Sequence, residues 1–504
     1  MKDKTTLIVL GCVLILLPLS VRLGYGFIED IKLDRALGDP LVTCLEPRRG
    51  RILAGGEVMA RSDTCYSFHV DCMAIKDSLA WRRKIEEAAP GLDRLLPRED
   101  TSGWLPAFVS GREREEKYLP VADHLRKDQV DSIRALPLFR LSNGGGAIIE
   151  IQPVRVHPYG DLAGSTVGTI GEDMHWTGLE GRYDYALYGV DGKKRVRVGR
   201  YEGRYLEKTE FFLSARNGDD IETTIAVPLQ VAADSILRSV IRTDARIRGG
   251  CLVAMSAETG AIRAICNLSE TGEGIGESVN WAVAHPVEPG GVADAMGYAA
   301  LLSDGLVGQA GEEVRPGGVA RLVRLCYADD SQTYVDRLRS FLPGIDFDLD
   351  MAGNRIPAPG TPEWTAETLP ELASGRGMEV TPLSLLTFFS TLANGGRMVR
   401  PYLVDRIVDE DGVILAKPAP VACGEIPEDV AEALRQWLLS AGSVPGVALL
   451  SGVSRGTATC VAFTGDKPGY SLICTLFMDD RQDSRARTLA ERTVLDMIDN
   501  LRNR

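Results

Sequence analysis

Seventeen consecutive residues, Thr5 to Val21 ("TTLIVLGCVLILLPLSV"), carry no charge. A helix of that length reaches ~25 Å, enough to cross a bilayer when its flanks snorkel. Lys2 and Lys4 precede the run, so the N-terminus is expected to stay in the cytoplasm and the rest to lie outside. Two other readings compete. "PLSVRLGYG" is a poor signal-peptidase site, and Leu10-Gly11-Cys12 is a lipoprotein-like box whose apolar run continues past the cysteine. An uncleaved single-pass anchor is the leading expectation.

Beyond the anchor the chain is too long for one core. It has 504 residues in all and a net charge of −13, so two or three domains are expected and nucleic acid is a poor default partner. Five histidines stand singly at 69, 124, 157, 175 and 285, and no HExxH or Cys/His cluster points to a metal or cofactor. Nine of the ten cysteines lie beyond the anchor with no CxxC spacing. Cys65 and Cys72 are close enough in sequence to bridge, but buried free thiols are the simpler reading.

Turn signals divide the rest. Leu41 to Ser62 reads strand-turn-strand about Gly55-Gly56, and Asp77 to Asp131 reads helical with loops at Pro90 and Pro97. "GLEGRYDYALYGVDG" suggests a helix closed by a glycine turn, and "RVRVGRYEGRYLEKTE" exposed strands. Gly249 to Ser269 is a hairpin about Glu258-Thr259-Gly260. "SGVSRGTATCVAFTG" and "YSLICTLFMDD" form a late strand pair, and a helix with Leu489, Val494, Leu495, Ile498 and Leu501 at helical spacing closes the chain. The pattern is α+β, with a sheet covered by helices.

Six segments, in order, carry a resemblance. Arg49-Gly50-x-Ile52 with Gly56 and Ala60 comes first, and "HPYGDLAGSTVG" with "GLEGRYDYALYGVDG" next. "DDIETTIAVPLQVAAD" and "MSAETGAIRAI" come after these, and "SGRGMEVTPLSLLTFFSTLANGGRMVRPYLV" (Ser374 to Val404) is the most specific. Together they resemble the class B penicillin-binding proteins, the FtsI-like peptidoglycan D,D-transpeptidases. The resemblance implies a cytoplasmic tail (1–4), a transmembrane anchor (5–22), an elongated, mostly β pedestal of dimerisation type (23–215) and a transpeptidase-like, serine β-lactamase-like domain (216–504). It implies an inner-membrane protein with its bulk in the periplasm. As partners it implies a polytopic SEDS-type glycosyltransferase or other division or elongation membrane proteins, and the peptidoglycan stem peptide.

The family's chemistry rests on SxxK, SxN and KTG. A serine is a weak nucleophile unless a base stands within hydrogen-bond reach. Here the nucleophile segment reads Glu288-Pro289-Gly290-Gly291-Val292-Ala293-Asp294, so Gly291 takes the serine slot and Asp294 the lysine slot. No Ser-x-x-Lys, Lys-Thr-Gly or Lys-Ser-Gly occurs anywhere. The best match to the edge-strand motif is "VSRGTA", with Ser454 at the lysine and Arg455 and Thr457 as candidate carboxylate-binding groups. The SxN segment is expected near "RPGGVARLV" (315–323). The lone Ser278-Val279-Asn280 is out of order and is read as chance. Two arrangements of Asp294 are expected equally: an ion pair with Arg455 across the old cleft, or exposure in a widened one. Three functions remain open: a catalytically silent scaffold or regulator, an active D,D-transpeptidase, and a non-covalent binder of stem peptides or β-lactams.

Overall fold

The computed structural model describes residues 31–502, apart from 99–101, 141–143, 172–175, 202–203, 273, 308–313, 443, 466–468 and 480–483. The expected anchor, residues 5–22, lies outside the described residues. Among the described residues, no helix is long and apolar enough to cross a membrane.

In chain order the first strands are β1 (Leu41–Leu45), β2 (Ile52–Ala54), β3 (Glu57–Val70), β4 (Leu119–Leu125), β5 (Ala147–Val156), β6 (Gly192–Tyr201) and β7 (Arg204–Leu213). They are followed by β8 (Asp220–Thr223), β9 (Ile247–Ser256), β10 (Ile262–Thr271), β11 (Gly274–Gly276), β12 (Arg397–Val399), β13 (Val404–Val408), β14 (Ile414–Ala416) and β15 (Ala422–Glu425). The last three are β16 (Val447–Ser454), β17 (Thr457–Thr464) and β18 (Tyr470–Met478). Mixed helix and sheet content is therefore as expected.

The chain divides into two compact units, each gathered from two separated stretches of sequence. One unit gathers residues up to Arg49 with Tyr188–Gly218; the other gathers Gly50–Leu187 with Asp219–Arg504. The reason is strand pairing. β2 runs parallel to β8, with Ile52 opposite Ile221 and Ala54 opposite Thr223, which ties the middle of the expected pedestal to the C-terminal part. In the first unit β1, β6 and β7 form a three-stranded antiparallel sheet.

The second unit is built on a six-stranded sheet in the order β11-β10-β9-β18-β17-β16. Its central strands read as near-continuous apolar runs because both faces are covered. The helices Val227–Thr243 and Ser484–Arg502 pack one face through Leu237, Val494 and Ile498. The opposite face meets a helical layer centred on Pro382–Ala393, a helix buried nearly all round. Thr381 caps that helix by accepting from the Ser384 backbone N–H, and Pro382 fills its first turn without leaving a donor unpaired.

Two local expectations are corrected. The helix Ser78–Leu95 runs through Pro90 rather than breaking there. "SGVSRGTATCVAFTG" is not one strand: it folds back at Arg455-Gly456, both with positive φ (26° and 78°), and becomes the β16–β17 hairpin. A two-residue turn of that kind needs left-handed backbone, which Gly456 adopts without a Cβ penalty. All nine described cysteines are free thiols, and Cys72, Cys251, Cys266, Cys460 and Cys474 are buried.

Candidate functional site

The segment Glu288–Asp294 is placed by three contacts. Val287 and Val380 exchange both backbone hydrogen bonds at 2.9 Å, and the Gly290 N–H donates to the Gly375 carbonyl at 2.9 Å. The third contact is the edge strand β16, against which the short 3-10 turn Gly290–Ala293 is packed. The helix Asp294–Ser303 then runs into the core, with Asp294 through Leu302 all buried.

At this junction backbone meets backbone. A Cβ on Gly291 would lie 3.1 Å from the Ser451 carbonyl oxygen and 3.6 Å from Gly452 Cα. A Cβ on Gly452 would lie 2.4 Å from Gly291 N, 2.7 Å from the Pro289 carbonyl oxygen and 2.9 Å from Val292 N. Gly375, at φ +70°, closes the other side, where a Cβ would come within 2.1 Å of the Gly290 carbonyl oxygen. Glycines on three segments thus let the turn, the edge strand and the Gly375 loop approach backbone to backbone, while Gly291 itself stays exposed on its other side. The part of the edge strand facing Gly291 is Ser451-Gly452, upstream of the residue matched to the motif lysine. Ser454 ends β16, and Arg455 lies in the hairpin turn.

Asp294 does not pair with Arg455, and it is not exposed. It is 5 % exposed, and its carboxylate accepts from the Gly317 backbone N–H. Burial raises its pKa from its ordinary value, and the Gly317 hydrogen bond opposes that rise. Gly317 belongs to the segment read as the SxN position, so the structure does bring the first two slots together, by a backbone contact. The Tyr334 hydroxyl is buried nearby without a hydrogen-bond partner, and its pKa is raised by burial and then by the Asp294 charge.

Sequence reading missed the hub of the site, Glu288. This carboxylate is 8 % exposed. One oxygen, Oε1, accepts from the Gly377 N–H at 3.0 Å and lies 3.4 Å from Arg455 Nη1; the other, Oε2, accepts from the Ser454 hydroxyl at 2.5 Å. Ser454 and Arg455 therefore both turn to Glu288. The Arg455 side chain is 71 % exposed, so the ion pair contributes little. The Thr457 hydroxyl donates to the Ser454 carbonyl at 2.7 Å, which engages it in the hairpin turn. The one available signal for Glu288 was its place directly before Pro289-Gly290.

Ser278-Val279-Asn280 lies elsewhere. The Ser278 and Ser269 hydroxyls share a hydrogen bond at 3.0 Å, and Asn280 Nδ2 donates to Thr166 at 3.1 Å. Beside it, Glu277 accepts from the Ser165 hydroxyl and N–H (2.8 and 3.0 Å) and from the Asn267 N–H at 3.1 Å. Enclosure of this carboxylate pushes its pKa up to about 8. These contacts seat the "AGSTVG" segment on the sheet domain.

Residues 329–450 match the penicillin-binding protein transpeptidase domain. Penicillin-binding protein PbpB of Mycolicibacterium smegmatis is 24% identical over 362 residues, 63% of this chain and 54% of that protein. PbpB of Mycobacterium tuberculosis is 24% identical over 335 residues, 57% of this chain and 48% of that protein. This chain thus spans about half the length of the curated relatives it matches. Among solved structures, a peptidoglycan synthetase from Bifidobacterium adolescentis superposes with a TM-score of 0.66 at 18% identity, covering 92% of this chain and 96% of the other. Penicillin-binding protein 2X from Streptococcus thermophilus superposes with a TM-score of 0.68 at 17% identity, covering 91% and 80%.

Proposed function

From the premise that this chain is a class B penicillin-binding protein, we propose that it acts in peptidoglycan assembly as a scaffold or regulator and forms no acyl-enzyme. One observation carries the reading: the exposed residue at the nucleophile turn is Gly291, which has no side chain, and the residue three further on is a carboxylate buried against Gly317. Acyl transfer needs a nucleophilic oxygen, a base beside it and room for a tetrahedral centre about 3 Å from the attacking atom. Gly291 supplies no oxygen. Asp294 turns its carboxylate to Gly317. Neither a lysine nor another amine stands at the family's base position, which Asp294 occupies.

A scaffold needs none of these groups. It needs the fold, a membrane anchor and surfaces for partners, and the resemblance is carried by the segments that build the fold. The partner class we propose is a polytopic peptidoglycan glycosyltransferase in the same membrane. The alternative of a non-covalent stem-peptide site has less support, because Ser454, Arg455 and Thr457 already have intramolecular partners.

The test is a fluorescent penicillin on the purified full chain, followed by denaturing electrophoresis. No covalent label is expected on the wild type, nor on the Gly291→Ser/Asp294→Lys double variant. A label that is lost when the wild type is denatured beforehand would falsify the proposal. Co-purification from membranes of a polytopic glycosyltransferase supports the scaffold role, and its absence under cross-linking counts against that role.

A further inference from the structure

The smaller unit has a charge opposite to the rest of the molecule. Over residues 31–49 and 188–218 there are twelve Lys and Arg against seven Asp and Glu, a surplus of five positive charges in a chain of net −13. Strand β6 opens with Lys193, Lys194, Arg195 and Arg197. Asp34 and Glu210 partly offset Arg195, Arg197 and Lys208. Among the described residues, Lys193 and Lys194 have no ion-pair partner.

The same sheet exposes apolar surface. Leu41 is 65% exposed, Phe211 66% and Phe212 54%, with Val42 and Leu213 also in solvent. Strand register places Leu41, Val196, Lys194 and Phe211 on one face, since paired residues point the same way. The Arg195 guanidinium lies over the Phe212 ring on the other face, 5.7 Å from its centroid. A short sheet that leaves this much apolar side chain in water requires a covering surface.

We propose that this sheet is an interfacial module that lies on an anionic phospholipid surface. It rests on the reading that Thr5–Val21 is a membrane anchor, and that reading supplies the position: β1 begins only twenty residues after the uncharged run ends. The chemistry supplies the occupant. Apolar and aromatic side chains enter the headgroup boundary, and an uncompensated basic strand is drawn to phosphate. A neutral or zwitterionic surface would leave Lys194, on the face of Leu41 and Phe211, unmatched.

The experiment is hydrogen exchange on the full chain in nanodiscs of phosphatidylcholine alone or with phosphatidylglycerol. Amides of residues 193–213 are expected to exchange about tenfold more slowly with phosphatidylglycerol present, an effect of the size expected for basic groups at an anionic surface. The protection should fall sharply in Lys194→Glu, shrink in Phe211→Ser, and weaken at high salt, whereas Phe212→Ser on the opposite face should change it less. Equal exchange in both lipid compositions overturns the proposal. So does protection that arises only when solubilised membrane proteins are added, which assigns the face to a protein. If the chain does not enter the discs, the anchor reading fails separately. Co-sedimentation with phosphatidylglycerol vesicles then reads the sheet directly, and a chain left in the supernatant overturns the proposal.

Discussion

Replacing Gly452 by alanine adds one methyl group where the edge strand meets the nucleophile turn. Its Cβ would sit 2.4 Å from Gly291 N, with the Pro289 carbonyl oxygen and Val292 N also inside 3 Å. An ordinary contact is about 3.5 Å, so strand and turn must part by roughly 1 Å. All three obstacles are backbone atoms, and no rotamer change relieves them. Overpacking of this kind costs ~3 kcal/mol, and the gain from stiffening the unfolded chain offsets ~0.7 kcal/mol of it. The net loss of ~2 kcal/mol corresponds to a fall in melting temperature of about 4–8 °C. Gly344 is the control: a Cβ there meets nothing within 4 Å, and Gly344→Ala should be neutral or slightly stabilising. Scanning calorimetry on both variants measures the difference. If Gly452→Ala melts within about 1 °C of wild type, edge strand and turn are not in contact, and the argument for a backbone junction between them fails.

Other outcomes rest on the same contacts. Glu288→Ala leaves the buried Ser454 hydroxyl and the Gly377 N–H without their acceptor and should cost about 2 kcal/mol by denaturant titration, whereas Arg455→Ala should change stability by under about 1 kcal/mol. Glu277 has a native pKa raised to about 8 from 4.5, so the native state holds its proton longer than the unfolded chain, and this contribution is lost as pH rises from about 4.5 through 8. Taken relative to its value below about pH 4.5, the stability of Glu277→Gln should rise against wild type as pH increases to about 9; a melting difference that does not change with pH refutes this. Asp294→Lys places an ammonium against the Gly317 N–H in a buried site, so the double variant should fold less stably than wild type and still take no β-lactam label.

Much of the fold is legible in the sequence. The Glu258-Thr259-Gly260 hairpin, the capped helix at Thr381-Pro382 and the closing helix each arise from short-range patterns: a glycine turn between apolar runs, a hydroxyl before a proline, and apolar residues at helical spacing. The late hairpin was harder, because one Arg-Gly step is a weak turn signal inside an apolar run. Pro90 misled for a related reason: a proline inside a helix removes one backbone bond, and the burial of Trp81, Ile85, Ala88 and Leu92 on one face outweighs that loss.

By itself, the sequence determined which atoms are available. It placed a glycine and an acid where the family has a serine and a lysine, and no tertiary arrangement restores a missing hydroxyl. It also placed an uncharged run before a basic strand. Only the tertiary structure decided who meets whom. It turned Asp294 to Gly317, brought Glu288 to Ser454 across 166 residues, and pressed Gly452 onto Gly291. Those pairings depend on the register of an edge strand and on the seating of one loop against another. Register is fixed by the summed packing of whole sheets and helices, which local spacing does not encode.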